Sequence, residues 1–208
     1  EPIELAGAYA TFAAGGVWEP WQVVTRIVGP DGKDVALPAR EGPRRVMDPA
    51  EAYLVTHMLG SVIDHGTGQR AKELRRPVAG KTGTSNEAKD TWFAGYSTEI
   101  AAVTWVGYDD GKPLGAGETG GGTALPAWVA FMKAAHENRP KAEFPRPPGL
   151  VNVAIDTKTG KLPWAGDPDT MDEIFLQGTE PTDTADVPDG GAPAAPTTTT
   201  DASAGTEN

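Results

Sequence analysis

The stretch from residue 78 to residue 108 constrains the fold most, because three strand-like segments follow one another there with short connections. The segments are 78–85, 91–97 and 99–108, and apolar side chains alternate with polar or small ones along the last two. A tight turn joins the second segment to the third, which brings them together as an antiparallel pair. The sequence therefore predicts a three-stranded antiparallel run.

Three helical patterns surround this run and complete the predicted fold class. Residues 2–14 carry a broad apolar face, and residues 123–136 carry two successive apolar faces that suit packing on a sheet. Between them, Asp48 and Glu51 have the spacing of a capping box, so a helix begins there and ends before Gly66. We predict an α+β fold, an antiparallel β-sheet flanked by helices.

The first strand-like segment ends in five residues that we name the 81–85 strip: Lys81, Thr82, Gly83, Thr84 and Ser85. In a strand, Lys81 and Gly83 share one face while Thr82 and Thr84 share the other. One cation, three hydroxyls and a bare glycine on extended backbone suit a small anionic group that lies flat against the strand. An edge strand also offers free backbone groups to an extended peptide.

A second Lys-Thr-Gly triplet, at residues 158–160, shows that the triplet alone does not define a site. Asp156 precedes it, Gly160 suits the positive φ of a turn, and apolar residues flank both sides. We therefore predict a hairpin over 150–164 with this triplet at its turn, followed by a last ordered segment at 171–176.

Composition excludes several classes of function and site. The 18 basic and 29 acidic residues give a formal net charge of −11, which argues against nucleic acid as a partner. The chain has no cysteine, and its three histidines are scattered without metal-ligand spacing, so we predict no metal site. No apolar run approaches the ~20 residues that cross a bilayer.

Composition also divides the chain into three parts. Residues 1–139 hold the helices and the strand run, and residues 140–176 hold a proline-rich linker and the small hairpin. Residues 177–208 form an acidic, low-complexity tail with few large apolar side chains, and we predict that this tail is disordered. Within the first part, strands at 21–28 and 34–37 are expected to form a hairpin around a Pro-Asp-Gly-Lys turn.

Residues 66–110 resemble the C-terminal part of the transpeptidase domain of class A, bifunctional penicillin-binding proteins. The likeness lies in GTGQRAKELRRPVAGKTGTSNEAKDTWFAGYS and in the WVGYDD that follows it. It extends to EPIELAGAYATFAAGG at the start, to GGGTALPAWVAFMKAA and to DEIFLQGTEP, so it covers roughly residues 1–180. The resemblance implies part of the fold that penicillin-binding proteins share with β-lactamases.

The resemblance further implies a serine-type acyl transfer on peptidoglycan stem peptides. The family uses Ser-x-x-Lys, Ser-x-Asn and Lys-Thr-Gly motifs, forms an acyl-enzyme with a D-alanyl-D-alanine peptide, and needs no cofactor. By resemblance, Lys81 and Thr84 are catalytic, since the ammonium supplies positive potential and the Thr84 N–H forms half of an oxyanion hole. Thr82, Gly83, Thr84 and Ser85 would line the place where the peptide, or a β-lactam that mimics it, binds.

Two of the three family motifs are absent from the sequence. Ser61, Ser85 and Ser97 lack a lysine three residues later, and no Ser-x-Asn occurs. In the family both motifs lie upstream of a segment like EPIELAGAYATFAAGG. We therefore expect the nucleophile to come from an upstream part of the same domain, and this chain alone to be inactive. Ser85 with Lys89 or Lys81 as its base is chemically possible, but nothing else in the sequence orients such a pair.

By resemblance, the parent protein carries a glycosyltransferase domain and an N-terminal membrane anchor, both absent from this chain. The transpeptidase would then work on the periplasmic side of the bacterial inner membrane, with stem peptides and β-lactam antibiotics as its partners. Two alternatives stay open. A D,D-carboxypeptidase or a β-lactamase would share the acyl-enzyme and differ in the acceptor, and a non-catalytic peptide- or glycan-binding module would use the same sheet without chemistry.

Overall fold

The computed structural model of the chain describes residues 1–187. Its α-helices and strands are, in chain order, α1 (Pro2–Ala13), β1 (Val17–Trp18), β2 (Ile27–Val28), β3 (Asp34–Val35), β4 (Arg44–Arg45), α2 (Pro49–Asp64), β5 (Ala79–Thr84), β6 (Asp90–Tyr96), β7 (Ala101–Gly107), α3 (Leu125–Ala135), β8 (Leu150–Asp156) and β9 (Thr170–Leu176). The chain divides into two compact units at residues 146 and 147, later than the predicted boundary at 139. None of the helices described is long and apolar enough to cross a membrane.

The three longest strands of the first unit form an antiparallel sheet in the order β5-β6-β7. Lys81 lies opposite Ala94, and Gly83 lies opposite Trp92, which in turn lies opposite Trp105. β5 is an edge strand, since β6 is its one strand partner in the described part of the chain. The predicted three-stranded run and the α+β fold class are therefore confirmed.

The core of the first unit lies between this sheet and α3. Its buried residues are Ile63, Ala71, Val78, Phe93, Ala124, Leu125, Trp128, Val129 and Met132. At its centre, the fully buried rings of Phe93 and Trp128 have centroids 4.7 Å apart. Trp128 Nε1 donates to the Ala102 carbonyl oxygen at 3.0 Å, so burial leaves the indole N–H satisfied. This packing fixes α3 on the sheet face that carries Phe93.

The second helix begins as the sequence predicts. Asp48 Oδ1 accepts from Ala50 N at 2.8 Å, and Glu51 Oε2 accepts from Asp48 N at 3.3 Å, which completes the capping box. At the other end, Gly66 N donates to Val62 O at 3.1 Å, as expected for a glycine just past the helix. All three predicted helices are present close to their predicted bounds.

Tyr96 packs between the opposite face of the sheet and the helices α1 and α2. Its fully buried ring makes edge contacts with Tyr9 and Phe144, at 6.1 and 5.6 Å between centroids. Its hydroxyl lies 2.8 Å from Thr56 Oγ1, which itself donates to Ala52 O at 2.9 Å. Because the one proton of Thr56 is used in that bond, the phenol is the donor to Thr56. Burial raises the pKa of Tyr96 to about 12.

We predict that burial of Tyr96 makes the chain sensitive to alkali. The pKa of Tyr96 is about 12 in the folded chain, against a reference value of 10.0, so the unfolded chain loses this proton first as the pH rises. The free energy of unfolding should therefore fall from about pH 10 to about pH 12, and Tyr96→Phe should flatten that fall in urea titrations. Tyr108→Phe, at a residue that is 45% exposed, is the control. An equally steep fall in both variants would contradict the prediction.

The predicted hairpin of strands at 21–28 and 34–37 forms around its Pro-Asp-Gly-Lys turn, but both strands are shorter than predicted. Only Ile27–Val28 and Asp34–Val35 pair, as β2 and β3. The apolar side chains before them are exposed, at 58%, 78% and 51% for Trp21, Val23 and Val24. Aromatic and β-branched residues favour a strand only where a neighbouring strand pairs with them, and β4 lies elsewhere, paired with β1.

The second unit is built on β8 and β9, which pair antiparallel from Leu150 opposite Leu176 to Asp156 opposite Thr170. The predicted hairpin over 150–164 is therefore wrong in its second strand. The segment that follows the turn bonds to β8 only at its end, where Asp156 N donates to Lys161 O at 2.9 Å, and β9 takes the place of its strand partner. A strand partner further along the chain is a non-local contact, and local turn residues do not specify it.

The Lys-Thr-Gly triplet at 158–160 forms a turn, as the sequence predicts. Asp156 Oδ1 accepts from Lys158 N at 3.1 Å, from Thr159 N at 2.6 Å and from Thr159 Oγ1 at 2.7 Å. Gly160 has a φ of +71°, and its N–H donates to Asp156 O at 2.8 Å. The Thr159 hydroxyl is the largest cause of the lowered pKa of Asp156. The aspartate therefore folds the triplet back on itself.

Part of the predicted disordered tail is ordered. Leu162 N donates to Asp183 O, and Ala185 N donates to Leu162 O, both at 2.8 Å. Ala185 is also buried, at 5% exposure. The predicted start of disorder at residue 177 is therefore too early, because a segment poor in apolar residues is held here by backbone pairing. The rest of the prediction, for 188–208, lies outside the described residues.

Candidate functional site

The 81–85 strip lies at the end of β5, where the strand passes from the core to the surface. Val78 and Ala79, just before the strip, are buried at 7% and 0% exposure. Within the strip, Lys81 and Thr84 are exposed, and the other three residues are half-buried. The apolar start of the strand thus holds the strip in place, while the strip itself stays accessible.

The hydrogen-bond ladder turns the backbone of two threonines outward. Ser85 N donates to Asp90 O at 2.9 Å, and hydrogen-bonded pairs recur at every second position of an antiparallel ladder. Gly83 therefore belongs to the next such pair. The backbone groups of Thr82 and Thr84 lie between these pairs, so they face the edge of β5 where the described part of the chain has no strand. A ligand beside this edge would meet the Thr84 N–H.

The ammonium group of Lys81 is exposed and not neutralised by another part of the described chain. Its Nζ donates to Thr82 O at 3.0 Å and lies 3.3 Å from Thr82 Oγ1. The ion pairs found among residues 1–187 do not include it. A positive charge held at a strand edge attracts a carboxylate or another small anion.

Both threonine hydroxyls of the strip contact groups from other parts of the chain. Thr82 Oγ1 lies 2.6 Å from Thr67 Oγ1, which is in the turn that follows α2. Thr84 Oγ1 accepts from Gly120 N at 3.0 Å. These contacts join residues that are 15 and 36 positions apart in sequence. The positions of the two hydroxyls are therefore set by the tertiary fold and not by the strand alone.

Gly120 lies against the back of the strip, so closely that only glycine fits. A Cβ there would come 2.5 Å from Gly83 O, 2.6 Å from Trp92 O and 2.9 Å from Gly83 N. The residue opens a π-helical turn, Gly120–Ala124, that leads directly into α3. This close approach allows the Gly120 N–H to reach the Thr84 hydroxyl.

Ser85 serves the turn between β5 and β6. Its Oγ accepts from Asp90 N at 2.8 Å. Lys89 Nζ pairs instead with Glu87 Oε2 at 2.8 Å, and the hydrogen bond to this carboxylate raises the pKa of Lys89. A lysine base needs a lowered pKa, and Ser85 has no hydrogen bond to a lysine within the described chain. The structure therefore does not assemble an internal Ser85 nucleophile with Lys89 or Lys81 as its base.

Thr67 and Gly120 are the contributors to the site that the sequence did not predict. Thr67 stands between two glycines, and Gly120 begins a run of three. Glycine runs are also typical of ordinary loops, so this signal did not point to the strip. Only the tertiary contacts show that Thr67 and Gly120 lie against the strip.

The strip lies at a strand edge that has no strand partner in the described chain. A cavity of about 470 Å³ lies elsewhere, between α2, the turn Gln69–Leu74 and Phe144, and no residue of the strip lines it. Residues 1–187 contain no cluster of three His, Cys, Asp or Glu side chains that could hold a metal ion. Ligand binding at the strip would thus rest on the Lys81 ammonium, the hydroxyls and the backbone.

Two family models match the chain. The model of the penicillin binding protein transpeptidase domain matches residues 1–124, and that of the penicillin-binding protein 1A C-terminal domain matches residues 146–190. The chain belongs to the penicillin-binding protein transpeptidase family. The resemblance drawn from the sequence is confirmed, and the 81–85 strip lies within the range that the transpeptidase model matches.

Relatives of the chain carry the name penicillin-binding protein 1A. The one from Pseudomonas aeruginosa is 32% identical over 245 aligned positions, which cover 94% of this chain and 30% of that protein. The one from Rickettsia conorii is 43% identical over 131 positions, which cover 63% of this chain and 16% of that protein. The chain thus spans less than a third of the length of these relatives.

Solved structures of penicillin-binding proteins share the fold of this chain. Penicillin-binding protein 1A from Haemophilus influenzae matches with a TM-score of 0.77 and 32% identity, over 88% of this chain and 33% of that one. The PonA1 protein from Mycobacterium tuberculosis, solved in complex with penicillin V, matches with a TM-score of 0.58 and 27% identity, over 71% and 41%. The α+β architecture is therefore that of the family.

We predict that Gly120→Ala disturbs the strip from behind. The added methyl would meet the carbonyl oxygens of Gly83 and Trp92 at 2.5 and 2.6 Å, and paired backbone cannot move aside as a flexible side chain can. The free energy of unfolding in urea should fall by about 1–3 kcal/mol, as is typical of overpacking. Gly122→Ala is the matched control, since its methyl would meet only the Thr119 hydroxyl, at 3.3 Å. Equal stability of the two variants would show that the backbone contact is not limiting.

Proposed function

We propose that the chain forms the carboxylate-binding and oxyanion-binding side of a serine-type D-alanyl-D-alanine transpeptidase, which cross-links peptidoglycan stem peptides. One observation carries the proposal. The exposed Lys81 ammonium, which forms no ion pair among the described residues, lies 3.3 Å from the Thr82 hydroxyl on an open strand edge that also carries Thr84, in a chain of the transpeptidase family. Membership of the family supports the reaction class, and the strip supports the place of the substrate.

The peptide substrate would lie extended along the edge of β5 as an added strand. Its terminal carboxylate only accepts hydrogen bonds, so it is complementary to the donors Lys81, Thr82 and Thr84. Gly83 would let the peptide approach the strand because it has no side chain. Ser85 would line the end of the strip, where its hydroxyl holds the turn to β6 closed.

The reaction would be an acyl transfer in two steps. A serine hydroxyl from the upstream part of the same domain would attack the carbonyl carbon of the penultimate alanine, and its proton would pass through a base to the leaving D-alanine amine. An amine of a second stem peptide would then attack the ester, form the new amide and return a proton to the serine. The Thr84 N–H would donate to the oxyanion in both steps, together with the N–H of the serine.

Lys81 would contribute charge and proton transfer at this site. Its ammonium would attract the substrate carboxylate, and it would stabilise the negative charge that develops in the tetrahedral intermediate. It would also help move protons near the nucleophile. These roles need a lysine whose charge is not consumed elsewhere, which agrees with the absence of an ion pair to Lys81 among the described residues.

β-Lactams would acylate the same serine as substrate mimics, since PonA1 from Mycobacterium tuberculosis, a family relative, has been solved in complex with penicillin V. A D,D-carboxypeptidase or a β-lactamase would pass the same acyl group to water. The match of residues 146–190 to the penicillin-binding protein 1A C-terminal domain favours the transpeptidase. A non-catalytic binding module would hold the peptide without forming a covalent bond, and the labelling experiment below separates it from an enzyme.

Peptidoglycan is built outside the cytoplasm, and this sets the proposed location. We place the strip on the periplasmic side of the bacterial inner membrane, held there by an N-terminal anchor of the parent protein. That parent would also carry a glycosyltransferase domain, as the bifunctional class does. The acyl transfer itself needs no cofactor.

We expect a fluorescent penicillin to label the complete protein covalently and to leave the 208-residue chain unlabelled. The reason is that the chain has the Lys-Thr-Gly strip but no serine followed by lysine three positions later. Gel fluorescence after denaturation measures the covalent bond. A complete protein that is never labelled would refute the transpeptidase. A labelled 208-residue chain would show instead that a serine within it reacts.

We expect Lys81→Ala to abolish acylation of the complete protein without unfolding the domain, because the side chain is exposed and its loss leaves no buried group unpaired. The rate of labelling by fluorescent penicillin and the thermal midpoint measure the two effects. Lys158→Ala is the matched control, since it alters the same triplet where it forms a turn. Acylation that persists in Lys81→Ala, or that is lost equally in Lys158→Ala, would count against the role of Lys81.

A further inference from the structure

The closest side-chain contact of the strip comes from a residue outside it. Thr67 Oγ1 lies 2.6 Å from Thr82 Oγ1, which is short even for a bond between two hydroxyls. Thr67 belongs to the turn that joins α2 to the segment Gln69–Leu74. It is exposed.

The turn around Thr67 packs closely against the end of α2 at the glycines on either side of it. Gly66 N and Gly68 N both donate to Val62 O, at 3.1 and 3.0 Å. A Cβ on Gly66 would come 2.9 Å from Val62 O, and one on Gly68 would come 2.7 Å from Ile63 Cδ1. Two N–H groups on one helix carbonyl hold the turn against the end of α2, and they fix the backbone of Thr67.

A third glycine completes the support from the opposite side. A Cβ on Gly121 would come 3.0 Å from Thr67 O, so the turn after α2 packs directly on the turn before α3. Gly121 follows Gly120, whose N–H donates to Thr84 Oγ1 at 3.0 Å. The hydroxyls of Thr82 and Thr84 are thus contacted by two turns that pack on each other, one through the Thr67 hydroxyl and one through the Gly120 N–H.

The contacts of Thr82 decide whether its hydroxyl proton is available to a ligand. A threonine hydroxyl has one proton and can accept two hydrogen bonds. Thr82 Oγ1 has a donor in Lys81 Nζ at 3.3 Å, which cannot accept. If Thr67 donates as well, both acceptor positions of Thr82 are filled, and its own proton is left for a ligand. If Thr82 donated to Thr67, the strip would lose that donor.

At Thr84 the direction of the corresponding hydrogen bond is fixed. Its Oγ1 accepts from the Gly120 N–H, which can only donate. The proton of Thr84 is therefore not needed for that contact and can point to a ligand. A threonine hydroxyl that accepts a hydrogen bond from the protein can donate its own proton to a ligand. Two such hydroxyls favour a ligand group that accepts and does not donate, such as a carboxylate.

We propose that Thr67 is a positioning residue that donates to Thr82 and thereby directs the Thr82 proton at the carboxylate of the peptide or β-lactam. Thr67 itself would not touch the ligand. The inference rests on the proposed function, because it names the group that sets the polarity of the carboxylate-binding strip. It predicts that loss of the Thr67 hydroxyl weakens the preference for a free carboxylate, and not reactivity in general.

The test measures acylation of the complete protein by a penicillin with a free carboxylate and by its methyl ester. The ratio of the two second-order rate constants reports how strongly the strip selects the carboxylate. Thr67→Val, which keeps the shape and removes the hydroxyl, should lower this ratio about three- to tenfold, since the Thr82 proton loses its one favoured rotor position and the support of the hydrogen-bond chain. Thr67→Ser should restore the wild-type ratio.

A double-mutant cycle links the effect to Thr82. Thr82→Val should lower the ratio by itself, and adding Thr67→Val to it should cause no further loss, because Thr67 would act only through that hydroxyl. Equal thermal midpoints of the Thr67→Val and Thr67→Ser proteins would show that both fold.

Three outcomes would overturn the inference. The first is an unchanged ratio in Thr67→Val while both rate constants fall in parallel, which is what a merely structural threonine would give. The second is a full additional loss in the Thr82→Val background. The third is a wild-type protein that neither reagent acylates, which would refute the proposed function and this inference with it. In the first two outcomes the wild-type protein is acylated, so the proposed function survives.

Discussion

The pairing of β5 on one side only is the constraint on which the site depends. β6 fixes the register of β5 and holds it straight, while the other edge keeps its backbone groups free of a strand in the described chain. In a central strand, those backbone groups would be hydrogen-bonded to a second neighbouring strand. The Lys81 ammonium can stand at this edge because no carboxylate among the described residues pairs with it. Pairing with β6 on one side only therefore holds β5 in register and also leaves its other edge open.

Burial far from the ligand positions the hydroxyls of the strip. Trp128 and Phe93 fix α3 on the sheet, and the turn Gly120–Ala124 passes from α3 to the back of β5. Because Gly120 has no side chain, this turn reaches the strand backbone and places an N–H on Thr84. The hydrophobic core thus sets the geometry of a polar site without contributing an atom to it.

The sequence predicted what local patterns specify. Alternation gave the strands around the 81–85 strip, and the spacing of Asp48 and Glu51 gave the start of α2, because both signals depend on close neighbours. Contacts between distant residues escaped prediction. β9 displaced the segment expected to pair with β8, and Thr67 met Thr82 across a turn whose glycines resembled those of any loop. The strand that carries the strip was therefore predictable from the sequence, and the contacts that support the strip were not.

The chain contains the Lys-Thr-Gly sequence twice, and the backbone amides of the two copies differ in their hydrogen bonding. Two positions before Lys158 stands Asp156, whose carboxylate consumes the amides of Lys158 and Thr159. Two positions before Lys81 stands Ala79, which has no side-chain acceptor, and the chain stays extended in β5. The residue two positions upstream thus decides whether a Lys-Thr-Gly segment can bind a ligand. An amide N–H that is already hydrogen-bonded within the chain cannot also donate to a ligand.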